Sequence, residues 1–358
     1  MWDAPVRLVH WAVALLVLAA WMTREATVID FHAAAGYAIL ALCLFRIGWG
    51  FAGTRHARFA AFLFPPGAAL AYLRDALRGR APRYLGHNPA GSWSIAVLIA
   101  CELAVTLTGI VAIAGMYRMG PLASHVAAPA GDAALTWHRY IAWAMLAVIG
   151  VHVAGAIASS LAHRENLVAS MLSGMKAAHA GDPPAVRAFP GIAVALATLL
   201  ACAAAAYAWH AFQARSRPLP STAALLPAAW GDECSSCHLA YPPCLLPERS
   251  WTALLAPGAD HFGEDLALAE ATRAKLQRIA ATPAGADEWA CWKMRAAVPA
   301  NATPLRITGT PGWREVHAAL GPDSFKPPIS AGRHDCAACH EDAPSSTFDP
   351  RRIHLKSR

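Results

Sequence analysis

Charged side chains are scarce in this chain. Asp, Glu, Lys and Arg make up only 15% of its 358 residues, against about 25% in ordinary soluble domains. Apolar types reach 56%. That balance excludes a disordered chain and argues against a purely soluble enzyme. Strict alternation of apolar and polar residues is absent, so strands are not expected. No Lys/Arg-rich stretch with interleaved aromatics is present, so the net charge of +7 does not imply a nucleic-acid partner. No small-residue cleavage site accompanies the first apolar run, which is therefore expected to be a retained helix.

The apolar residues are unevenly placed. Residues 6–212 hold long apolar runs, whereas 214–358 are polar, Pro-rich and carry most of the acids. Spanning a bilayer as a helix takes about 20 apolar residues. Five Ala/Leu-rich runs approach that length: 7–23, 31–52, 93–116, 137–161 and 190–212. Arg46, Glu102 and Arg139 are the charges inside them, with Arg7 at the very start of the first. The loop 46–92 holds Arg46, Arg55, Arg58, Arg74, Arg78, Arg80 and Arg83, and 162–189 holds Arg164, Lys176 and Arg187. The opposite side has Arg24, Arg118 and Arg139. By the positive-inside rule the N-terminus and the two basic loops are cytoplasmic, and five crossings place 214–358 outside, in the periplasm of a Gram-negative cell. Arg215 and Arg217 open the linker RSRPLPSTAALLP and run mildly against the rule. The expected organisation is a membrane domain over 1–185, a fifth helix and linker over 186–229, and an outer domain over 230–358.

The outer part carries Cys234-Ser-Ser-Cys237-His238 and Cys336-Ala-Ala-Cys339-His340. C-x-x-C-H is the attachment motif of c-type haem: both thiols form thioethers and the histidine becomes an iron ligand. Paired C-x-x-C motifs also build zinc ribbons, but here a histidine follows each pair directly, on the side where haem c is attached. The sixth iron ligands are sought among His261, Met294, His317, His334 and His354, with His261 in DHFGED and His317 in GWREVHAAL standing out by context. His334, two residues before Cys336, is expected on the wrong side of its haem. Cys43, Cys101 and Cys202 lie in spans, where buried thiols are the default. Cys244 and Cys291 lie outside, either as a disulfide or as two core thiols, a choice that geometry decides.

Four histidines sit on the spans, and ionisable groups at membrane depth are costly and usually functional. His10 is near the inner start of the first span, while His32 and His138 begin spans at the outer face. His152 lies 14 residues beyond His138, about 21 Å deeper on the same helix face at 1.5 Å per residue. Depth therefore pairs His32 with His138 and His10 with His152. Each pair suits one haem b clamped between helices, with no open iron position. A zinc site is the poorer reading, because 138 and 152 cannot converge on one ion; a proton relay is the other rival.

WDAPVRLVHW, FHAAAGY, FRIGWGFAG, LGHNPAGSW, WHRY and GVHVAG resemble the bacterial cytochrome b561 and nickel–iron hydrogenase b-type cytochrome family over about 1–180. In that family four such histidines bind two haems b, which implies this role for His10, His32, His138 and His152. His87 of LGHNPAG is read as loop structure. Arg7, Arg46 and Arg139 stand either as propionate partners or as interfacial charge. CSSCHLAYPP, LLPERSW, HFGED, TGTPGWREVH and CAACHEDA resemble the bacterial dihaem cytochrome c family over about 230–358. Its bis-histidine pattern matches His261 and His317, and chain order suggests His261 for the first haem and His317 for the second.

The expected protein is all-α: a four-helix haem b bundle, a fifth transmembrane helix, and a small loop-rich dihaem cytochrome c domain. Its expected work is electron transfer in the inner membrane, from quinol through two haems b to two haems c and a soluble periplasmic redox protein. The reverse direction is equally open. Other readings are an electron-transfer subunit of a larger dehydrogenase or hydrogenase complex, a haem-based redox or gas sensor, and a terminal reductase. The partners implied are the quinone pool, the lipid bilayer and a periplasmic acceptor or donor, with no nucleic acid.

Overall fold

In a computed structural model of the protein, the described residues are 2–176 and 221–354, with isolated helical positions 199, 203 and 206. The expected fifth span, 190–212, and His210 otherwise lie outside them. No strand occurs among the described residues, only isolated bridges at His261–Glu264 and His340–Ile353.

Among the described residues, four helices are long and apolar enough to cross a membrane: α1 (Ala4–Met22), α2 (Ile29–Ala52), α4 (Pro89–Tyr117) and α5 (Ala128–Ala162). The short α3 (Pro66–Leu77) and α6 (Leu167–Ser173) follow α2 and α5. Helix α1 starts where Asp3 caps the Val6 amide at 3.0 Å with Pro5 in the first turn, as capping chemistry requires. The same carboxylate accepts from Trp49 Nε1 at 2.9 Å and Thr54 Oγ1 at 2.7 Å, tying the start of α1 to the end of α2, along which it packs. Helix α6 ends at Gly174, whose φ of +78° and whose contact with the Trp2 carbonyl leave no room for a side chain.

Helix α5 begins nine residues before the expected 137–161. Residues 128–136 are less apolar than a span, but Pro129 suits a first helical turn and the helix runs on into them. Its 35 residues make about 52 Å at 1.5 Å per residue, well beyond the roughly 30 Å hydrocarbon core. Large apolar side chains such as Leu15, Leu18, Phe51, Leu107, Val151 and Leu161 are exposed along these helices, a face that lipid covers. Trp137, Tyr140 and Trp143 are likewise exposed near one end of α5, as in an interfacial aromatic belt.

The chain divides into two compact units: 1–24, 29–111 and 133–214 form the first, and 25–28, 112–132 and 215–358 the second. The second holds α7 (Thr222–Leu225), α8 (Ala228–Cys234), α9 (Glu248–Leu254), α10 (Glu270–Ala281), α11 (Trp289–Ala296) and α12 (Pro311–Val316). Two small cores support it. One gathers Trp230, Leu246, Trp251, Leu254, Leu255 and Leu276, with the Trp230 and Trp251 indoles edge to face at 4.9 Å. The other gathers Leu245, Met294 and Trp313 around a Cys244–Cys291 disulfide with a Cα–Cα distance of 5.2 Å, inside the usual range. The two outer cysteines thus form the disulfide, not two separate core thiols.

Candidate functional site

The structure brings eight histidines together as four facing pairs. In the first unit, His10 of α1 lies opposite His152 of α5, ring centres 6.4 Å apart. His32 of α2 lies opposite His138 of α5 at 5.8 Å. In the second unit, His238 faces His261 at 6.2 Å with nearly parallel rings, and His340 faces His317 at 6.3 Å. Two imidazoles on opposite sides of one metal ion, each bonded at about 2 Å, have ring centres roughly 6 Å apart. Each of the four pairs is spaced to that measure. No cluster of three or more His, Cys, Asp or Glu converges among the described residues. Each pair therefore offers two imidazoles about 6 Å apart, a donor pair that a porphyrin's four nitrogens would complete.

Local contacts aim the rings. His32 Nδ1 lies 2.8 Å from the Ala20 carbonyl and His138 Nδ1 2.8 Å from that of Val105. His317 Nδ1 lies 2.8 Å from the Trp313 carbonyl and His238 Nδ1 2.7 Å from that of Leu239. An Nδ1–H donated to a carbonyl leaves Nε2 as the free ligand nitrogen. His152 Nδ1 meets Ser94 Oγ at 3.4 Å. His10, His261 and His340 each keep a buried Nδ1 with no hydrogen-bond partner. Gly109 of α4 makes room for His138: a Cβ there would stand 3.2 Å from its ring.

The C-x-x-C-H motifs supply one histidine to each pair of the second unit. Cys234 closes α8, and Cys336–Ala338 is one turn of 3-10 helix. Burial, then Glu233, pushes the Cys234 thiol up to about 11; burial, then Asp335, pushes Cys336 to about 11. Burial lowers the pKa of His261, His317 and His340, so they are neutral donors at physiological pH.

The other ligand candidates fall elsewhere. Met294 is buried in the disulfide core, 3.8 Å from Thr310 Oγ1. The His334 ring lies over Gly332, and His354 is exposed beside Glu341 at 3.1 Å. His87 is wedged between Trp2 and Phe62, ring centres 4.5 Å from each. Arg46 is buried beneath Phe59, its guanidinium 5.2 Å from that ring, and it and Arg7 each keep a buried nitrogen unpartnered. Sequence reasoning missed Trp313, which stacks on His317 at 4.4 Å; its spacing of four on a helix was the available signal.

Apolar spanning helices, and a loop-rich domain with two C-x-x-C-H motifs, define a membrane-bound haem protein of electron transfer. A family model of prokaryotic cytochrome b561 matches residues 1–174, and one of dihaem cytochrome c matches 230–348. Residues 230–348 belong to the dihaem cytochrome c family, and residues 1–174 are similar to cytochrome b561. Among curated proteins it is similar to the probable Ni/Fe-hydrogenase B-type cytochrome subunit of Cupriavidus necator, 28% identical over 211 residues, 49% of this chain and 86% of that one. The corresponding subunit of Azotobacter vinelandii is 26% identical over 211 residues, covering 49% and 87%. Among solved structures, a diheme cytochrome c from Rhodobacter sphaeroides is 37% identical, covering 35% of this chain and all of that one, with a TM-score of 0.30.

Proposed function

We propose that the chain is a tetrahaem electron conductor. It holds two haems b on His10–His152 and His32–His138, and two haems c on His238–His261 and His340–His317, attached at Cys234/Cys237 and Cys336/Cys339. The observation that carries this reading is the common spacing of the four facing pairs, 5.8 to 6.4 Å. Haem would supply one-electron redox chemistry when bound; the chain supplies imidazole nitrogens, burial and charge partners. Arg7 and Arg46, with buried unpartnered nitrogens, are suited to carboxylate propionates. Paired imidazoles leave no iron position for a gas or substrate, which disfavours a sensor or terminal reductase.

The proposed donor is quinol from the inner-membrane pool. A cavity of about 260 Å³ in the first unit, lined by Arg55, His56, Phe62, Phe64, Tyr84 and His87, sets aromatic walls beside polar groups able to hydrogen-bond a quinol headgroup. Electrons then run from the inner to the outer haem b, to the c haems, and to a soluble periplasmic redox protein. In this reading the N-terminus is cytoplasmic, 230–358 is periplasmic, and the fifth span within 186–229 tethers it.

A pyridine haemochrome spectrum with a haem-stained gel tests the core of it. The expected result is two non-covalent haems b and two covalent haems c per chain. Covalent haem alone would overturn the bundle assignment. The hydrogenase b-type relatives favour a second reading, a subunit of a larger dehydrogenase or hydrogenase. Copurification of such a partner with the native protein would select it.

A further inference from the structure

The second compact unit contains more than the C-terminal part of the chain. It takes in residues 25–28 and 112–132, the stretches that join α1 to α2 and α4 to α5. Ala26–Val28 packs on Pro350–Arg352. Arg351 Nη1 lies 3.1 Å from Met119 Sδ, and Arg118 pairs with Glu288. At the centre is Lys293, which is buried. Its ammonium reaches Asp132 Oδ2 at 3.0 Å and Glu315 Oε1 at 2.8 Å, while Trp289 Nε1 donates to Asp132 Oδ1 at 3.1 Å.

The C-terminal side of these contacts belongs to the surroundings of one histidine pair. Glu315 is two residues from His317 on α12. Lys293 shares α11 with Cys291 and Met294, which pack on Trp313, the ring stacked on His317. The segment 350–354 is laced to the other partner: His340 bridges Ile353, Glu341 N bonds Arg352 O at 3.2 Å, and His354 N bonds Cys339 O at 2.8 Å. The loop side is tied to the outer pair of the bundle. Val28 is four residues before His32. Asp132 is six residues before His138 on one continuous helix, about 9 Å along its axis.

We propose that the haem c attached at Cys336 and Cys339 is the one that exchanges electrons with the haem b of His32 and His138, and that Lys293 is the positioning residue holding this junction. The haem c of Cys234 and Cys237 is then the terminal one, facing the soluble partner. The transfer moves one electron, oxidising one iron and reducing the other, with no bond or proton exchanged. A lysine bridging two carboxylates suits a junction that must be held in one geometry, because removing it leaves the half-buried Asp132 carboxylate without its cation. The inference rests on the tetrahaem reading above and goes beyond it by ordering the c haems.

The test uses the full-length protein in lipid vesicles, with haem b reduced by a quinol and haem c followed by stopped flow. Removing the second haem c (Cys336→Ala with Cys339→Ala) is expected to abolish rapid reduction of the remaining haem c. Removing the first (Cys234→Ala with Cys237→Ala) is expected to leave it at the wild-type rate. The opposite pattern overturns the order proposed. Absence of any exchange between haem b and haem c in the wild-type protein overturns the tetrahaem reading itself. Lys293→Gln, which keeps both haems c, is expected to slow the exchange by roughly tenfold or more, with both c midpoint potentials unchanged. It is also expected to remove hydrogen-exchange protection from 25–28 and 112–132, and Lys293→Arg to restore both rate and protection. Full protection and full rate in Lys293→Gln overturn the positioning role.

Discussion

At the residue scale the decisive objects are imidazoles, and two environments separate their roles. His10→Ala or His152→Ala is expected to remove one haem b and leave the other haem b and both haems c. His32→Ala or His138→Ala removes the other haem b, and haemochrome content reads each outcome. Unchanged haem b in all four variants would sink the assignment. His87 contrasts with these eight. Burial first, then the charges of Arg46 and neighbouring histidines, push it down to about 3. The unfolded chain takes up that proton near pH 6.5, so this group costs nothing above that pH. Below it, the fold loses about 1.4 kcal/mol per pH unit from His87 until the native value is reached. Melting temperature measured from pH 7 to 5 is therefore expected to fall less steeply in His87→Phe than in the wild type. His87→Ala is expected to keep both haems b and to melt lower, by roughly 3 kcal/mol for a buried ring lost from between two others.

At the scale of elements, three of the expected spans are helices within a few residues of their expected limits, and the fourth lies inside the longer α5. The larger departures have physical causes. Helix α5 outruns its apolar stretch because helical backbone can continue into a polar environment, and hydropathy reports only the lipid-facing part. The amphipathic α3 lay inside what reads as a basic loop, since its apolar positions are too few to register as a span. The depth argument paired the membrane histidines as the structure places them, because helical rise and phase are fixed by backbone geometry. The Cys244–Cys291 bond was open in sequence, since spacing alone cannot bring two cysteines within bonding range. Cys244→Ala with Cys291→Ala is expected to destabilise the second unit by about 4 kcal/mol, given a separation of 47 residues and the chain-entropy cost of such a loop. Thermal unfolding checks that figure, and haem staining should still find two haems c, since neither thiol is in a C-x-x-C-H motif.

For the whole molecule, arginine distribution and the C-x-x-C-H motifs made the division into an apolar and a polar part legible. The junction was not legible, because it depends on residues more than 100 positions apart meeting: Asp132 with Lys293, Met119 with Arg351. The proposed orientation predicts the outcome of a protease experiment. Trypsin added to intact spheroplasts is expected to release or degrade the part carrying covalent haem, while the 46–92 and 162–189 loops resist until the membrane is opened. Loop cleavage before lysis would invert the topology.

Helix α5 carries one member of each bundle pair on a single unbroken rod. The separation of the two histidine pairs is therefore a matter of gearing, with distance and angle locked to the same screw. One alanine inserted between 138 and 152 turns everything beyond it by about 100° for only about 1.5 Å of added length, so His152 swings away from His10. Seven inserted residues come nearly back into phase after two turns, but lengthen the gap by about 10 Å. A chain built this way can lengthen its internal electron step only in whole turns, and haem b content across such an insertion series should rise and fall with the pitch of the helix.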